Sequence, residues 1–535
     1  MKIIACFLTL LLTLLNKSYS QEIQKLTAQQ REDFIQKANN KRALNQYIEA
    51  SIFLDSILMH QSNDAPILLY KGDLMLQANL FSKAAKVYLQ LIPLNYETTI
   101  TKINLSYALF MSHKPKQALK YAKNAWENNK TNTNAIINFF NAQLWNINTT
   151  SAKAFLKEQQ HNLTNNQVHI LLARLYTTKG NFTEGLKFYD SATKANDSKF
   201  YIQEYVDVLI GKKEYLKAQQ IIEANKTKFQ VNELNTLLQK LNAKKNQFAG
   251  TEISYFTDIA NNIRFENKYW WQQGDGNKYQ LKMALGFGSI QSNKINKSST
   301  QFAQIQINEN WSSTLKGETN FDFHKITADN QNNFNVFTAQ QLIKYQPNDR
   351  RMIGLFVKRE LLNFTSSLLN QGITSTSYGY ITHLILKDKI GFYSEGSHSS
   401  ISDKNKKLQV FGSLYTLLRT EPTIKTGINF TALHFSDSSI KNYFSPNQYL
   451  HSELFVDFST PLPQTNNYFL QLQIASGFQK IENKKWENAS RLQAEIGYRK
   501  KRIETTLKFQ TSNVSSNNGT GYSFYWYTWN FKVRI

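Results

Sequence analysis

The hydrophobic period of this chain changes near residue 248, and that change restricts the available folds more than any motif does. Ahead of it, small residues recur about every 34 positions in helical surroundings. Beyond it, apolar and polar residues alternate in segment after segment up to the last residue. A period of 3.6 gives helices with one apolar stripe, and a period of two gives strands with one apolar face. The chain therefore reads as an array of helices followed by a long all-β half.

The N-terminus runs from Lys2 through the apolar stretch Ile3 to Leu15 to Ser18, Tyr19 and Ser20, the order of a secretory signal peptide, with cleavage expected after Ser20. A run of about 13 apolar residues is short for a bilayer-spanning helix, and no later stretch reaches about 18 residues without charge. The mature chain is thus expected to lack a transmembrane helix. The sole cysteine, Cys6, leaves with the signal and lacks the small-residue context of a lipid anchor, so no disulfide or thiolate site is expected. Stability must then come from cores, repeat stacking or sheet closure.

The formal net charge is +24, and the mature chain divides it evenly, about +11 on either side of residue 248. No basic patch or run stands out, which argues against a nucleic-acid partner. Spread over a Lys- and Asn-rich surface, the charge suits solvated faces, or attraction to an anionic polymer or lipid phosphates.

Ala50, Ala84, Ala118, Ala152, Gly185 and Ala218 follow one another at spacings of 34, 34, 34, 33 and 33. Twelve residues before them stand Ala38, Gly72, Ser106, Phe140, Ala173 and Val206, mostly small, where two helices must approach closely. Four residues after them stand Leu54, Tyr88, Ala122, Leu156, Tyr189 and Ile222, one turn further along the second helix. This pattern resembles the tetratricopeptide repeat over roughly residues 30 to 225, most weakly around Phe140. A closing helix, about Val231 to Lys244, is placed to cap the stack. The expected domains are a signal over 1–20, a periplasmic repeat domain over 21–248 and a barrel over 249–535.

From Thr251 onward the sequence holds sixteen segments of period two. In the last, Tyr525, Tyr527, Trp529, Phe531, Val533 and Ile535 alternate with Trp526, Thr528, Asn530, Lys532 and Arg534. An outward apolar face and a polar bore would produce this, with Lys532 and Arg534 facing the bore. Links after even-numbered segments are short, such as 312–314, 387–389 and 500–502. Links after odd-numbered segments include the longer 360–374, 436–450 and 512–521. Short turns on one side, longer loops on the other and an even strand count predict a transmembrane antiparallel β-barrel of about sixteen strands, with the helical array on the side of the short turns.

Catalytic patterns are missing: there is no phosphate-binding glycine loop, no HExxH and no GxSxG. His383 and His434 fall on predicted strands and read as bore or interface histidines, and no metal site or cofactor is expected. Asp349 with Arg350 and Arg351 follows Pro347 and Asn348 and reads as a turn. Glu252 and Glu266 carry no assignable acid–base role. The chain is not expected to be an enzyme.

Two longer links carry a resemblance. Tyr443, Phe444, Ser445, Pro446 and Tyr449 are similar to a YFSPQxY segment in the barrel domain of cellulose synthase operon protein C. Upstream, RELLNFTSSLLNQG, with Ser367, Leu368, Leu369 and Gly372, resembles that family's Ser-Leu-Leu-Ser segment followed by Gly. Lys441 and Asn442 stand where glycine is expected, Gln448 is displaced from its place after the proline, Asn370 replaces the second serine, and six repeats are fewer than the family carries. The resemblance implies an outer-membrane component of exopolysaccharide export: a periplasmic scaffold that meets the polymer or its synthesis proteins, and a barrel conduit in outer-membrane lipids. Both segments are then expected at the pore mouth, with Tyr443, Phe444 and Tyr449 offering ring faces to sugars. The alternative is an outer-membrane-anchored scaffold that recruits periplasmic or surface proteins without transport.

Overall fold

The computed structural model describes residues 26–535 except 196–197, 244–245, 275–277, 294–295, 313, 330–331, 421, 441, 462–466, 501 and 517–518. The expected signal over 1–20, and Lys441, lie outside the described residues. Thirteen helices precede the β half among the described residues: α1 (Ala28–Ala43), α2 (Tyr47–His60), α3 (Ala65–Gln77), α4 (Phe81–Leu91), α5 (Thr98–Met111), α6 (Pro115–Asn128), α7 (Thr133–Trp145), α8 (Thr149–Gln159), α9 (Asn165–Thr178), α10 (Phe182–Ala195), α11 (Lys199–Gly211), α12 (Tyr215–Ala224) and α13 (Val231–Ala243). None is long and apolar enough to cross a membrane, which leaves crossing by strands open.

The helices are the paired elements the 34-residue register requires, and every position of its three ladders is buried. The small residues are small for a steric reason. A Cβ on Gly72 would lie 2.6 Å from the Tyr88 ring, so α3 meets α4 at van der Waals distance only because the side chain is missing. Tyr88 in turn donates its hydroxyl to Asp73 at 2.5 Å, and the Ser106 hydroxyl donates to the Ala118 carbonyl at 2.9 Å. In the later repeats Tyr189 and Tyr205 stack with centroids 5.2 Å apart, and their hydroxyls donate to Glu204 and Asp190. Arg174 donates to both Glu204 oxygens, at 2.7 and 2.6 Å. Burial works against the Arg174 charge, but those bonds and the Glu204 charge outweigh it and hold its pKa above the ordinary value.

The β half is a closed antiparallel barrel of sixteen strands in simple sequence order, β16 pairing back onto β1. The strands are β1 (Phe248–Asp258), β2 (Ile263–Gln272), β3 (Tyr279–Ser292), β4 (Asn296–Asn310), β5 (Leu315–Thr327), β6 (Asn333–Asn348), β7 (Arg351–Leu361), β8 (Thr374–Lys387), β9 (Ile390–Ile401), β10 (Lys406–Thr420), β11 (Thr423–Phe435), β12 (Tyr449–Pro461), β13 (Tyr468–Ile481), β14 (Glu487–Lys500), β15 (Ile503–Ser512) and β16 (Phe524–Arg534). Closure runs from Phe248 opposite Arg534 to Asp258 opposite Phe524, so neither end strand presents an unpaired edge.

Because side chains alternate, the register sorts them into two faces. Leu285, Phe337, Leu355, Tyr378, Leu454 and Leu507 are exposed on the outer face. The inner face carries ion pairs such as Lys268 with Glu252 at 2.9 Å, Lys344 with Glu318 at 3.2 Å and Lys358 with Glu360 at 2.8 Å.

Two compact units emerge, one up to Ala142 and one from Gln143 to Ile535. The division falls inside α7 rather than at the change of period near 248. The reason is physical: α8 to α12 make polar contacts with the short turns of the barrel, as the next section describes, whereas the period reports only local backbone state.

Gly72→Val should lower the urea midpoint of the helical circular-dichroism signal, since overpacking against Tyr88 costs about 1–3 kcal/mol. The β signal should hold its midpoint. An unshifted helical midpoint would mean that the close approach of α3 and α4 is not required.

Candidate functional site

The two rims of the barrel do different work. Links after even-numbered strands are short turns, and three of them meet helices. In the β6–β7 turn the Asp349 amide donates to the Gly180 carbonyl at 2.7 Å, while the Asp349 carboxylate pairs with Lys212 of the α11–α12 link. Gly180 has φ +76, and a Cβ there would sit 2.6 Å from that of Asp349, so only glycine fits both the conformation and the approach. In the β8–β9 turn the Asp388 carboxylate accepts from the Thr149 amide at 2.9 Å, the Thr149 hydroxyl at 2.7 Å and the Thr150 amide at 3.4 Å. Asn148, the residue preceding α8, makes no side-chain cap of its own. The orphan donors of α8 are thus satisfied by a carboxylate from the barrel, which also complements the positive end of the helix. Arg350 stands 3.5 Å from Asp388, and the Thr420 hydroxyl of β10 donates to the Trp145 carbonyl at 3.4 Å.

Register irregularities mark the same three turns: Tyr345/Asn348 before the first, Ile385/Lys387 before the second and Leu417/Arg419 before the third. A bulge bends a strand tip and re-aims the residues beyond it. The barrel is regular along its walls and distorted where it carries helices.

The opposite rim holds the three long links, 362–373, 436–448 and 513–523, and they share one hydrophobic core. Leu362, Leu368, Tyr443, Tyr449 and Val514 pack with the inward-facing Leu433 and Phe435 of β11. The first link carries a short helix, α14 (Ser366–Asn370), and reaches inside the mouth to β3, β4 and β5. There Leu369 packs against Ile290, Ile326 and Val336. The Ser366 amide donates to the Ser292 hydroxyl at 2.9 Å, and the Ser298 hydroxyl donates to Asn370 Oδ1 at 2.5 Å. One link therefore leans over to β3–β5 while sharing a core with the other two, and the three together form a cap folded into the mouth.

Every residue of the two resemblance segments has a place in this cap. Tyr443 donates to Asp403 at 2.9 Å and accepts from Asn405 at 3.1 Å. Burial, with the Asp403 carboxylate adding to it, pushes the Tyr443 hydroxyl above its ordinary pKa. The Phe444 amide donates to the Gly519 carbonyl at 2.8 Å, and its ring meets Tyr449 edge-on at 5.5 Å. Ser445 donates to the Ile440 carbonyl at 2.6 Å, and the Pro446 carbonyl accepts from the Phe435 amide at 3.0 Å. Tyr449, fully buried, donates to Gln479 at 3.1 Å. Leu368 and Leu369 are buried, half-buried Ser367 accepts from Gln371, and Gly372 closes α14 at φ +60 beneath the Phe334 ring.

One expectation needs correcting. Tyr443 and Tyr449 do not offer ring faces to sugars, because both rings lie inside the cap core. Phe444 is half-buried against Tyr449 and Gly521. Aromatic content signals packing as readily as recognition, and here packing of loop on loop claims the rings.

Lys532 and Arg534 lie at the turn-side end of β16. Lys532 Nζ stands 4.3 Å from the Phe248 ring centroid, on the face of Glu252, Lys268 and Lys282, and Arg534 pairs with Phe248. His383 Nε2 lies 2.6 Å from the Tyr415 hydroxyl, and no cluster of potential metal ligands occurs among the described residues. The helix contacts of Asp349, itself read as a turn residue, and of Asp388 escaped sequence reasoning because a polar two-residue turn looks the same whether it faces water or a helix. The third cap link, 513–523, was visible only as a long link.

Residues 372–528 match the family model described as cellulose synthase operon protein C C-terminus, a stretch that includes both later cap links and starts at the last residue of the upstream segment. The barrel thus resembles the C-terminal domain of that family. Similar solved structures include a bacterial polysaccharide outer membrane secretin, 11% identical with TM-score 0.45, covering 55% of this chain and 99% of that one. A thermophilic tetratricopeptide-repeat protein of Thermus thermophilus is 18% identical with TM-score 0.29, covering 34% of this chain and 99% of its own. A tetratricopeptide-repeat protein of Parabacteroides merdae is 14% identical with TM-score 0.32, covering 40% and 87%. No curated protein matches the chain.

Asp388→Ala should uncap α8 and speed amide hydrogen exchange at Thr149 and Thr150 about tenfold, in line with the roughly 1 kcal/mol a helix cap is worth. Barrel amides away from the β8–β9 turn should keep their rates. Unchanged exchange at both threonines would show that Asp388 does not hold the helix.

Proposed function

We propose that this protein is the outer-membrane component of an exopolysaccharide export system, with its barrel as the conduit and its repeats as a periplasmic scaffold in a Gram-negative bacterium. The observation that carries the reading is the family resemblance of residues 372–528, which takes in two of the three links that close one mouth of the barrel. The outward apolar face suits lipid, and the ion-paired inner face suits a hydrated bore.

On this reading the short-turn rim faces the periplasm, because both ends of the barrel lie there: the Ile535 amide donates to the Gln247 carbonyl at 2.9 Å, next to the start of β1. The helices docked on that rim receive the polymer or the proteins that make it, while the cap faces the cell exterior. Transport is passive at this step and driven by synthesis in the inner membrane. Lys532 and Arg534, near the entrance, favour acidic groups on the arriving chain. A cap whose core is loop packed on loop opens at lower cost than a wall strand would, because its links can separate without breaking the ladder. The competing reading, an anchored scaffold without transport, draws on the same cap, since a mouth that never opens makes the barrel an anchor only.

Replacing residues 437–447 with an Asn-Gly turn should raise single-channel conductance of the full-length protein in planar bilayers several-fold and alter polymer secretion from cells carrying it. Unchanged conductance with unchanged secretion would remove the cap from the mechanism. A correctly inserted barrel that stays silent with and without the link, in cells whose secretion ignores loss of the gene, would favour the scaffold.

A further inference from the structure

Beside the cap residue Ser516, the bore holds a chamber of about 380 Å³ whose lining no step above has used. Its size falls within the roughly 300–1,000 Å³ typical of small-molecule sites. Every barrel residue that lines it comes from the inner face of the strands, so it belongs to the bore and not to the outer wall.

Two kinds of group meet there. Phe411 and Trp526 are half-buried and line the chamber with aromatic surface; Arg264 stands over the Trp526 ring at 5.0 Å and helps hold it in place. Between them project the amides of Gln409 and Gln510, which take no hydrogen bond from the protein among the described residues. Their donors and acceptors are therefore free for a bound molecule.

The floor is rigid. Glu453 is buried, accepts from Arg491 at 2.5 Å and from Asn429 at 2.8 Å, and lies 3.5 Å from His451. The charged lining residues are Glu453, paired with Arg491, and Glu395, which accepts from Tyr393 at 3.0 Å, so the chamber carries no excess of positive charge. A site with aromatic walls, uncommitted amides and no excess positive charge suits a ligand with apolar C–H faces and many neutral hydroxyls.

We propose that this chamber is a saccharide subsite that grips a short neutral stretch of glycan just before the cap, with Phe411 and Trp526 as ring platforms and Gln409 and Gln510 as hydroxyl partners. The proposal rests on the export reading and adds to it a place and a preference. A chamber whose one arginine is already paired with Glu453 has no means of attracting uronates, whatever the entrance charges do, so the transported polymer carries uncharged sugars at least in part.

Isothermal titration of the detergent-solubilised full-length protein with cellohexaose, and separately with a hexameric polygalacturonate, tests it. Cellohexaose should bind at least tenfold more tightly than the uronate. Phe411→Leu, which keeps apolar volume but loses the ring, and Gln510→Ala should each weaken cellohexaose about tenfold, while Trp529→Ala on the outer face should leave it unchanged. Far-UV circular dichroism of each variant must match the parent, and Gln510→Asn, with a shortened amide, should fall between parent and Gln510→Ala. Equal binding by parent, Phe411→Leu and Gln510→Ala, a preference for the uronate, or no binding of either sugar would overturn the subsite. The export reading is judged separately, by polymer secretion after deletion of the gene: lost secretion beside any of those results sinks the subsite alone, and intact secretion sinks the export reading.

Discussion

Closure of β16 onto β1 is the interaction on which the rest of the structure depends. A sheet of alternating residues has two faces and two edges, and only closure removes the edges. Once Phe248 stands opposite Arg534 and Asp258 opposite Phe524, the parity of every other strand follows from antiparallel pairing, so Trp529 and Lys532 fall on opposite faces. The same antiparallel order puts the helix-bearing turns on one rim and the three long links on the other. The turns that α8 to α12 meet and the cap are then separated by the height of the barrel without any contact between them being needed.

The two rims are held by different physics. On the turn side, two-residue turns make directed polar bonds: the Asp388 carboxylate accepts from the start of α8, and Asp349 donates its amide to the Gly180 carbonyl and pairs its carboxylate with Lys212. These contacts are directional and few, and bulges in the adjoining strand pairs aim them. On the loop side, apolar side chains from three links share a core, and polar bonds such as Ser298 to Asn370 fix its edges. Directional bonds suit a joint that must keep one geometry. A shared apolar core suits a closure that holds as a whole and separates as a whole.

Much of this was legible from residue types alone. The 34-residue ladder named the buried positions of the repeats, because a residue such as Gly72 is dictated by its nearest neighbours in the same helix pair. Strand number and the two-sided loop pattern were legible because period two and turn length are local properties. The candidate site was legible only as a location. YFSP marked a special link, but nothing local distinguishes a tyrosine aimed at a sugar from one, like Tyr449, buried under another loop.

The sequence by itself determined the elements, their order, which face of each strand is apolar and which links are long, since all of these arise from interactions among residues close along the chain. Only the tertiary structure decided what meets across the molecule. Asp388 caps a helix 239 positions away, α14 meets Ser298 of β4, and Phe411, Gln510 and Trp526 come together around one chamber. Those meetings depend on how sixteen strands close into a ring, and closure brings together residues whose separation along the chain carries no trace of their contact.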